Sequence, residues 1–135
     1  MLFAENDECK DAIGPLALDG TPIGGSTALA SPDTEAPFCF TAVTANGLWY
    51  YVEGNGSTIQ ASLCDSQSYD TRISIYRGSC SDGLSDLVCV NGNDDFCGKQ
   101  SLVTWDSLVG VTYYIHVHGY STESGDFSLT VTSLP

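Results

Sequence analysis

The sequence predicts an all-β fold, an antiparallel sandwich of short strands. Three observations carry this. Hydrophobic residues recur with a period of two along most of the 135-residue chain, the repeat of a strand with one buried face. Clusters of Gly, Asn, Asp and Ser separate these runs at spacings of about 8–14 residues, as in a sandwich. Lys and Arg together number only 4 while Gly numbers 14, a composition that disfavours long surface helices and favours polar turns.

The strands follow in chain order. Phe38–Val43 is expected to be a strand after a loop holding Pro32 and Pro37. Leu48–Glu53 is aromatic-rich and ends at an Asn55-Gly56 turn. Thr58–Leu63 sets Ile59, Ala61 and Leu63 on one side, and Arg72–Tyr76 sets Ile73 with Ile75. Leu87–Val90 is short, and Ser101–Trp105 aligns Val103 with Trp105. Thr112–Val117 and Phe127–Thr132 close the series, with Phe127, Leu129 and Val131 on one face. Ile13–Ala30 is expected to add one or two weaker strands. With no helical pattern, repeat or linker, residues 1–135 read as one module. Met1–Ala4 lacks the length and basic flank of a signal peptide. It and Ser133–Pro135 read as cut points in a longer secreted chain. No apolar run approaches a membrane span.

The net charge is −13, from 17 acidic and 4 basic side chains. Such a surface repels phosphate backbones and anionic bilayers, so nucleic acid and membrane insertion are not expected. A bound cation or salt screening would relieve the self-repulsion.

Six cysteines, Cys9, Cys39, Cys64, Cys80, Cys89 and Cys97, read as three disulfides and an oxidising, extracellular compartment. Zinc is the weaker reading, because no C-x-x-C or H-x-x-x-H pair is present. Of the fifteen connectivities, the expected set is Cys9–Cys39, Cys64–Cys97 and Cys80–Cys89. Cys80–Cys89 is the best grounded, because it would close a short hairpin loop. Asn55-Gly56-Ser57 is a glycosylation triplet as well as a turn signal.

Several stretches, in order, resemble a known family: Asn6-Asp7-Glu8-Cys9, Leu48-Trp49-Tyr50-Tyr51-Val52 and Tyr69-Asp70-Thr71-Arg72-Ile73-Ser74-Ile75-Tyr76. Gly78-Ser79-Cys80, Cys89-Val90, Asn93-Asp94-Asp95 and Cys97-Gly98 follow. Tyr113-Tyr114-Ile115-His116-Val117-His118-Gly119 and Gly125-Asp126-Phe127-Ser128-Leu129 complete the set. Together they resemble the pre-peptidase C-terminal domain in a cysteine-rich variety, over nearly the whole chain. The resemblance implies a jelly-roll-like β-sandwich, appended to a secreted peptidase or surface protein and without an active site of its own. It also implies likeness to the collagen-binding modules of bacterial collagenases, some of which bind calcium.

Three constellations bear on chemistry. Glu5, Asn6 and Asp7 with Asp33 and Glu35 form an acidic segment and loop, and by the resemblance Glu5, Asn6, Asp7 and Asp33 fall at places similar to those of calcium-binding relatives. Calcium takes about six to eight oxygen ligands, which carboxylates and Asn carbonyls supply. A Cys9–Cys39 bridge would hold the two segments together; the alternative is a solvated terminus and loop. Asp70 with Asp94 and Asp95 forms a second calcium candidate, which a Cys64–Cys97 bridge would assemble. Alternatively Asp70 caps its own turn. Tyr114, His116 and His118 share a strand face, continued by Tyr120, while Tyr113, Ile115 and Val117 face the core. That stripe would offer flat rings to a sugar or an extended polypeptide, or else pair across a partly exposed sheet. The two histidines suggest no third metal ligand. By the resemblance Tyr50 and Val52 face inward, which sets Trp49 and Tyr51 outward or under a covering loop.

No G-x-S-x-G, H-E-x-x-H or phosphate-cradling glycine loop is present, and paired cysteines leave no thiolate. Nothing sets two carboxylates across an apolar cleft, as glycosidases require. The sequence therefore points to a non-catalytic extracellular binding or adhesion module, stabilised by calcium, for polysaccharide, glycoprotein or fibrous protein. The alternatives are a spacer contacting neighbouring modules of a surface protein or fibre, and a removable accessory domain of a peptidase.

Overall fold

The computed structural model describes residues 5–65, 68–81 and 83–135; Met1–Ala4 lie outside them. The strands among the described residues are β1 (Ile23–Ser26), β2 (Leu48–Glu53), β3 (Thr58–Ser62), β4 (Thr71–Gly78), β5 (Leu87–Asn93), β6 (Leu102–Asp106), β7 (Thr112–Gly119) and β8 (Asp126–Ser133). They form two four-stranded sheets, β1-β8-β3-β6 and β2-β7-β4-β5, in which every pairing is antiparallel. The expected all-β sandwich is the fold observed.

The core lies between the sheets. Ile59, Ala61, Val103, Trp105, Phe127, Leu129 and Val131 on one sheet meet Tyr50, Val52, Ile73, Ile75, Tyr113, Ile115 and Val117 on the other. β3, β6 and β8 show the alternation of strands with one face toward solvent. The second sheet does not: β7 is buried continuously from Ile115 to Gly119. Something therefore covers its outer face.

The cover is the segment 27–47, which crosses that face as a strap. Phe38–Val43, expected as a strand, lies in this strap and is not one. Its alternation is real, but Cys39, Thr41 and Val43 point inward while Phe38 and Phe40 are exposed. Pro32 and Pro37 each lack an N–H for a ladder, and Phe40 takes a left-handed φ of 64°. Cys39 and Val43 build a second, smaller core with Cys9, Ala36, Trp49, Tyr76, Cys80 and Leu87.

The disulfides correct two of the expected pairings. The bridges are Cys9–Cys80, Cys39–Cys89 and Cys64–Cys97. Cys80–Cys89 does not form because the β4–β5 register sets Tyr76, not Cys80, opposite Cys89. Cys89 instead ties the strap to β5, and Cys80, beyond the end of β4, ties down the N-terminal segment at Cys9. Cys9–Cys39 is thereby excluded, while Cys64–Cys97 is as expected.

Candidate functional site

The strap decides which part of the outer face of β2-β7-β4-β5 a ligand reaches. His116 and His118 share a face with Tyr114 as expected, yet both are 0% exposed. The exposed aromatic–imidazole stripe is corrected accordingly. His116 stacks on Trp49 with ring centroids 4.0 Å apart, and on His118 at 4.6 Å. His118 Nε2 lies 2.9 Å from the buried Ser74 hydroxyl. Gly47 of the strap lies directly on His116, where a Cβ would collide with Nε2.

Asp33, also on the strap, reaches into this layer. Its Oδ2 accepts from Trp49 Nε1 at 3.0 Å and lies 3.2 Å from His116 Nε2. The second contact has ion-pair distance but not hydrogen-bond direction, since His116 Nε2 has no hydrogen-bond partner among the described residues. Burial raises the Asp33 carboxyl to about 7, against the opposing pull of the Trp49 bond and with a smaller push from Asp7. Burial also lowers His116 to about 3. For the pair the direction is toward a neutral imidazole beside a protonated acid.

Part of the stripe stays open. Tyr51 and Tyr114 face each other across β2 and β7, ring centroids 6.4 Å apart, and both are half-buried. They line a cavity of about 290 Å³ with Ser79 and Thr112. Cys9, Lys10, Cys80 and Ser81 are shared between it and a second cavity, of about 320 Å³, that ends at Asp33 and Glu8. A third, of about 260 Å³, continues past Asp33 to Glu35. These make one groove, from a tyrosine platform over the Cys9–Cys80 bridge to a cluster of carboxylates. Sequence reasoning assigned Trp49 and Tyr51 no settled face. The signal was the run of three aromatics, of which Trp49 is covered and Tyr51 open.

Of the expected N-terminal calcium set, Asn6, Asp7 and Asp33 are each bonded to protein groups. The Asn6 amide donates to Trp49 O at 2.7 Å, and Asp7 accepts from the Ser31 N–H and hydroxyl at 2.8 and 2.9 Å. Asp33 is engaged as above, while Glu5 and Glu35 are exposed. The second set is assembled as expected beside Cys64–Cys97. Asp70, Asp94 and Asp95 offer oxygens all within 4.8 Å of one another. Oδ1 of Asp70 and of Asp94 is inaccessible and without a hydrogen-bond partner among the described residues. Asp94 Oδ2 accepts from Arg72 Nε at 3.1 Å. Asp70 is raised to about 6 by burial first, then by Asp95, Asp94 and Glu123. Tyr120 lies near this end, its ring 4.9 Å from the Arg72 guanidinium, and does not extend the tyrosine platform.

No protein-family model and no curated protein matches this chain in sequence. Solved structures match it in fold. The pre-peptidase C-terminal domain of collagenase from Bacillus anthracis aligns over 84% of this chain and 90% of its own, with a TM-score of 0.55 and 14% identity. The chain has the fold of a pre-peptidase C-terminal domain. Chitosan-binding module 1 from a chitosanase/glucanase of Paenibacillus sp. IK-5 aligns over 87% and 97%, with a TM-score of 0.41 and 18% identity. On the pre-peptidase C-terminal frame, the strap, the three bridges and the groove are the features of this chain that shape its surface.

Proposed function

We propose that this chain is a non-catalytic binding module of an extracellular protein, and that its groove holds an extended polymer, a polysaccharide or a fibrous protein. The carrying observation is the Tyr51–Tyr114 pair, kept open while Trp49, His116 and His118 of the same face are sealed. Two flat rings in a polar cleft supply contact area at low entropic cost. Three disulfides with no free cysteine support an oxidising compartment. No helix among the described residues is long and apolar enough to cross a membrane. Ser74 and His118, within hydrogen-bond distance, are fully covered, so the pair is not presented to a substrate.

Calcium belongs to this reading as a stabiliser at Asp70, Asp94 and Asp95. A cation would satisfy the two unpartnered oxygens and relieve the repulsion that raises Asp70. Millimolar calcium should raise the melting temperature, and Asp95→Asn should remove that rise. An unchanged melting temperature would contradict the site.

The reading is tested by co-sedimentation with insoluble polysaccharides and collagen, in calcium and in chelator. Saturable binding that weakens at least about tenfold in Tyr114→Ala, a loss of about 1.4 kcal/mol, is the expected result. No binding to any matrix would contradict it and favour a structural spacer.

A further inference from the structure

We propose that Asn55 is a modification site that carries one N-linked glycan, whose first sugar lies over the exposed Leu108–Val109 tip. This goes beyond the groove reading and rests only on its extracellular setting.

Asn55-Gly56-Ser57 is the one N-x-S/T triplet in the 135 residues. Asn-Gly is also an ordinary turn signal, so the geometry of the side chain decides. Asn55 and Gly56 are exposed at one end of the sandwich, between β2 and β3. Asn55 Oδ1 accepts from the Ser57 N–H at 3.0 Å, an Asx turn, and Gly56 supplies the left-handed φ of 88° there. Asn55 Nδ2 gives one N–H to Ser133 Oγ at 3.1 Å. The other N–H has no acceptor among the described residues. A side-chain amide has two N–H groups and keeps one when a sugar replaces the other. A glycosylated Asn55 therefore keeps both the turn and the Ser133 bond. The turn holds Ser57 by its backbone N–H and carbonyl, not by the hydroxyl that completes the triplet.

The neighbouring connection, between β6 and β7, supplies the second observation. It is locked to this turn. Asn55 N donates to Ser107 Oγ at 3.2 Å, Ser107 N to Ser57 O at 3.0 Å and Gly110 N to Gly54 O at 3.3 Å. The lock holds Leu108 and Val109 outward, 64% and 77% exposed. Val109 Cγ2 lies against the middle of the triplet, 3.3 Å from where a Cβ on Gly56 would sit. Two bare aliphatic side chains on a rigid tip are an association hazard unless something covers them. The C–H face of a pyranose ring can cover them while its hydroxyls stay in water. Asn55 lines none of the cavities of the groove, so the attachment point stands clear of the tyrosine platform.

The transfer uses a lipid diphosphate-linked oligosaccharide, in the compartment that also oxidises the three bridges. A bond forms between Asn55 Nδ2 and the anomeric carbon of the first sugar. The bond from that carbon to the diphosphate oxygen breaks, and the lipid diphosphate leaves with the electron pair. Nδ2 gives up one proton, and nothing is oxidised or reduced.

The test is peptide mapping by mass spectrometry of the chain secreted by its own source cells and by a cultured animal cell line. Both should carry a glycan on the Asn55 peptide that a peptide N-glycosidase releases. In the cell line, Asn55→Gln and Ser57→Ala should abolish it and Ser57→Thr should retain it. Ser57→Ala leaves the backbone of the turn intact, which separates loss of the triplet from loss of the fold. A secreted chain with its three bridges formed and Asn55 unmodified overturns the site alone. A glycan that persists in Ser57→Ala overturns it as well. A chain that neither cell exports overturns the extracellular reading with it. In the glycosylated chain, nuclear Overhauser contacts should join the first sugar to the Val109 methyls, and their absence overturns the covering of the tip.

Discussion

His118 shows what burial does to a single polar residue here. It is fully covered, with Ser74 as its hydrogen-bond partner and Nδ1 without one among the described residues. Its pKa lies well below the ordinary value because of burial, then His116 and Arg72. The unfolded chain protonates it below about pH 6.5 and the folded chain does not. The unfolded state therefore binds more protons, and this residue makes stability fall as pH falls, by about 1.4 kcal/mol per pH unit. Asp33 and His116 add no slope in mild acid, because the pair carries one proton whether folded or unfolded. Asp70, raised to about 6, works in the opposite direction. The difference between the intact chain and His118→Gln isolates the effect. Urea unfolding between about pH 6 and 5 should show a shallower acid loss in the variant, and equal slopes would contradict the buried neutral state.

The phase of these residues was legible in the sequence, but their exposure was not. Period two put His116 and His118 opposite Ile115 and Val117, which is where they are. A polar side chain on the outer face reads as solvated unless another segment covers it. The cover comes from residues far away in sequence. The one local hint was Gly47, whose missing side chain makes room for His116.

At the scale of elements, the strap is the feature that seals one outer face of this sandwich. It is pinned by Cys39–Cys89, by Tyr76 Oη donating to Pro37 O at 2.6 Å and by Arg72 Nη1 donating to Ala42 O at 2.8 Å. The sequence separation of that bridge is 50 residues, so removing it should cost about 2–4 kcal/mol. In a Cys39→Ala/Cys89→Ala variant, amide hydrogen exchange should speed first in residues 36–47. The β3–β6 and β3–β8 ladders should stay protected longest. Uniform acceleration across all strands would show that the strap is not a separately anchored unit. Seven strands were legible in outline because apolar alternation marks them directly. The strap was mistaken for an eighth, since Cys39, Thr41 and Val43 alternate like strand residues while burying against side chains rather than pairing. The bridges were misassigned for a related reason: short loops were favoured, whereas register and the path of the strap decide which sulfurs meet.

At the scale of the whole molecule, two sheets enclose one core, and the outer face of one sheet is sealed except at the tyrosine end. The carboxylate cluster of Asp70, Asp94 and Asp95 was legible because it lies in two loops joined by the one bridge assigned correctly. The groove was not, because it is assembled from the N-terminal segment, the strap, β2, β7 and the loop after β4. The central claim is that a polymer lies in this groove. It is tested most directly by following backbone amide resonances during titration with soluble fragments of whichever matrix the chain sediments with. The account expects the largest shifts at Lys10, Tyr51, Ser79, Ser81 and Tyr114, with little change on β3 and β8. Shifts centred on the outer face of β1-β8-β3-β6, or on Phe38 and Phe40, would contradict it.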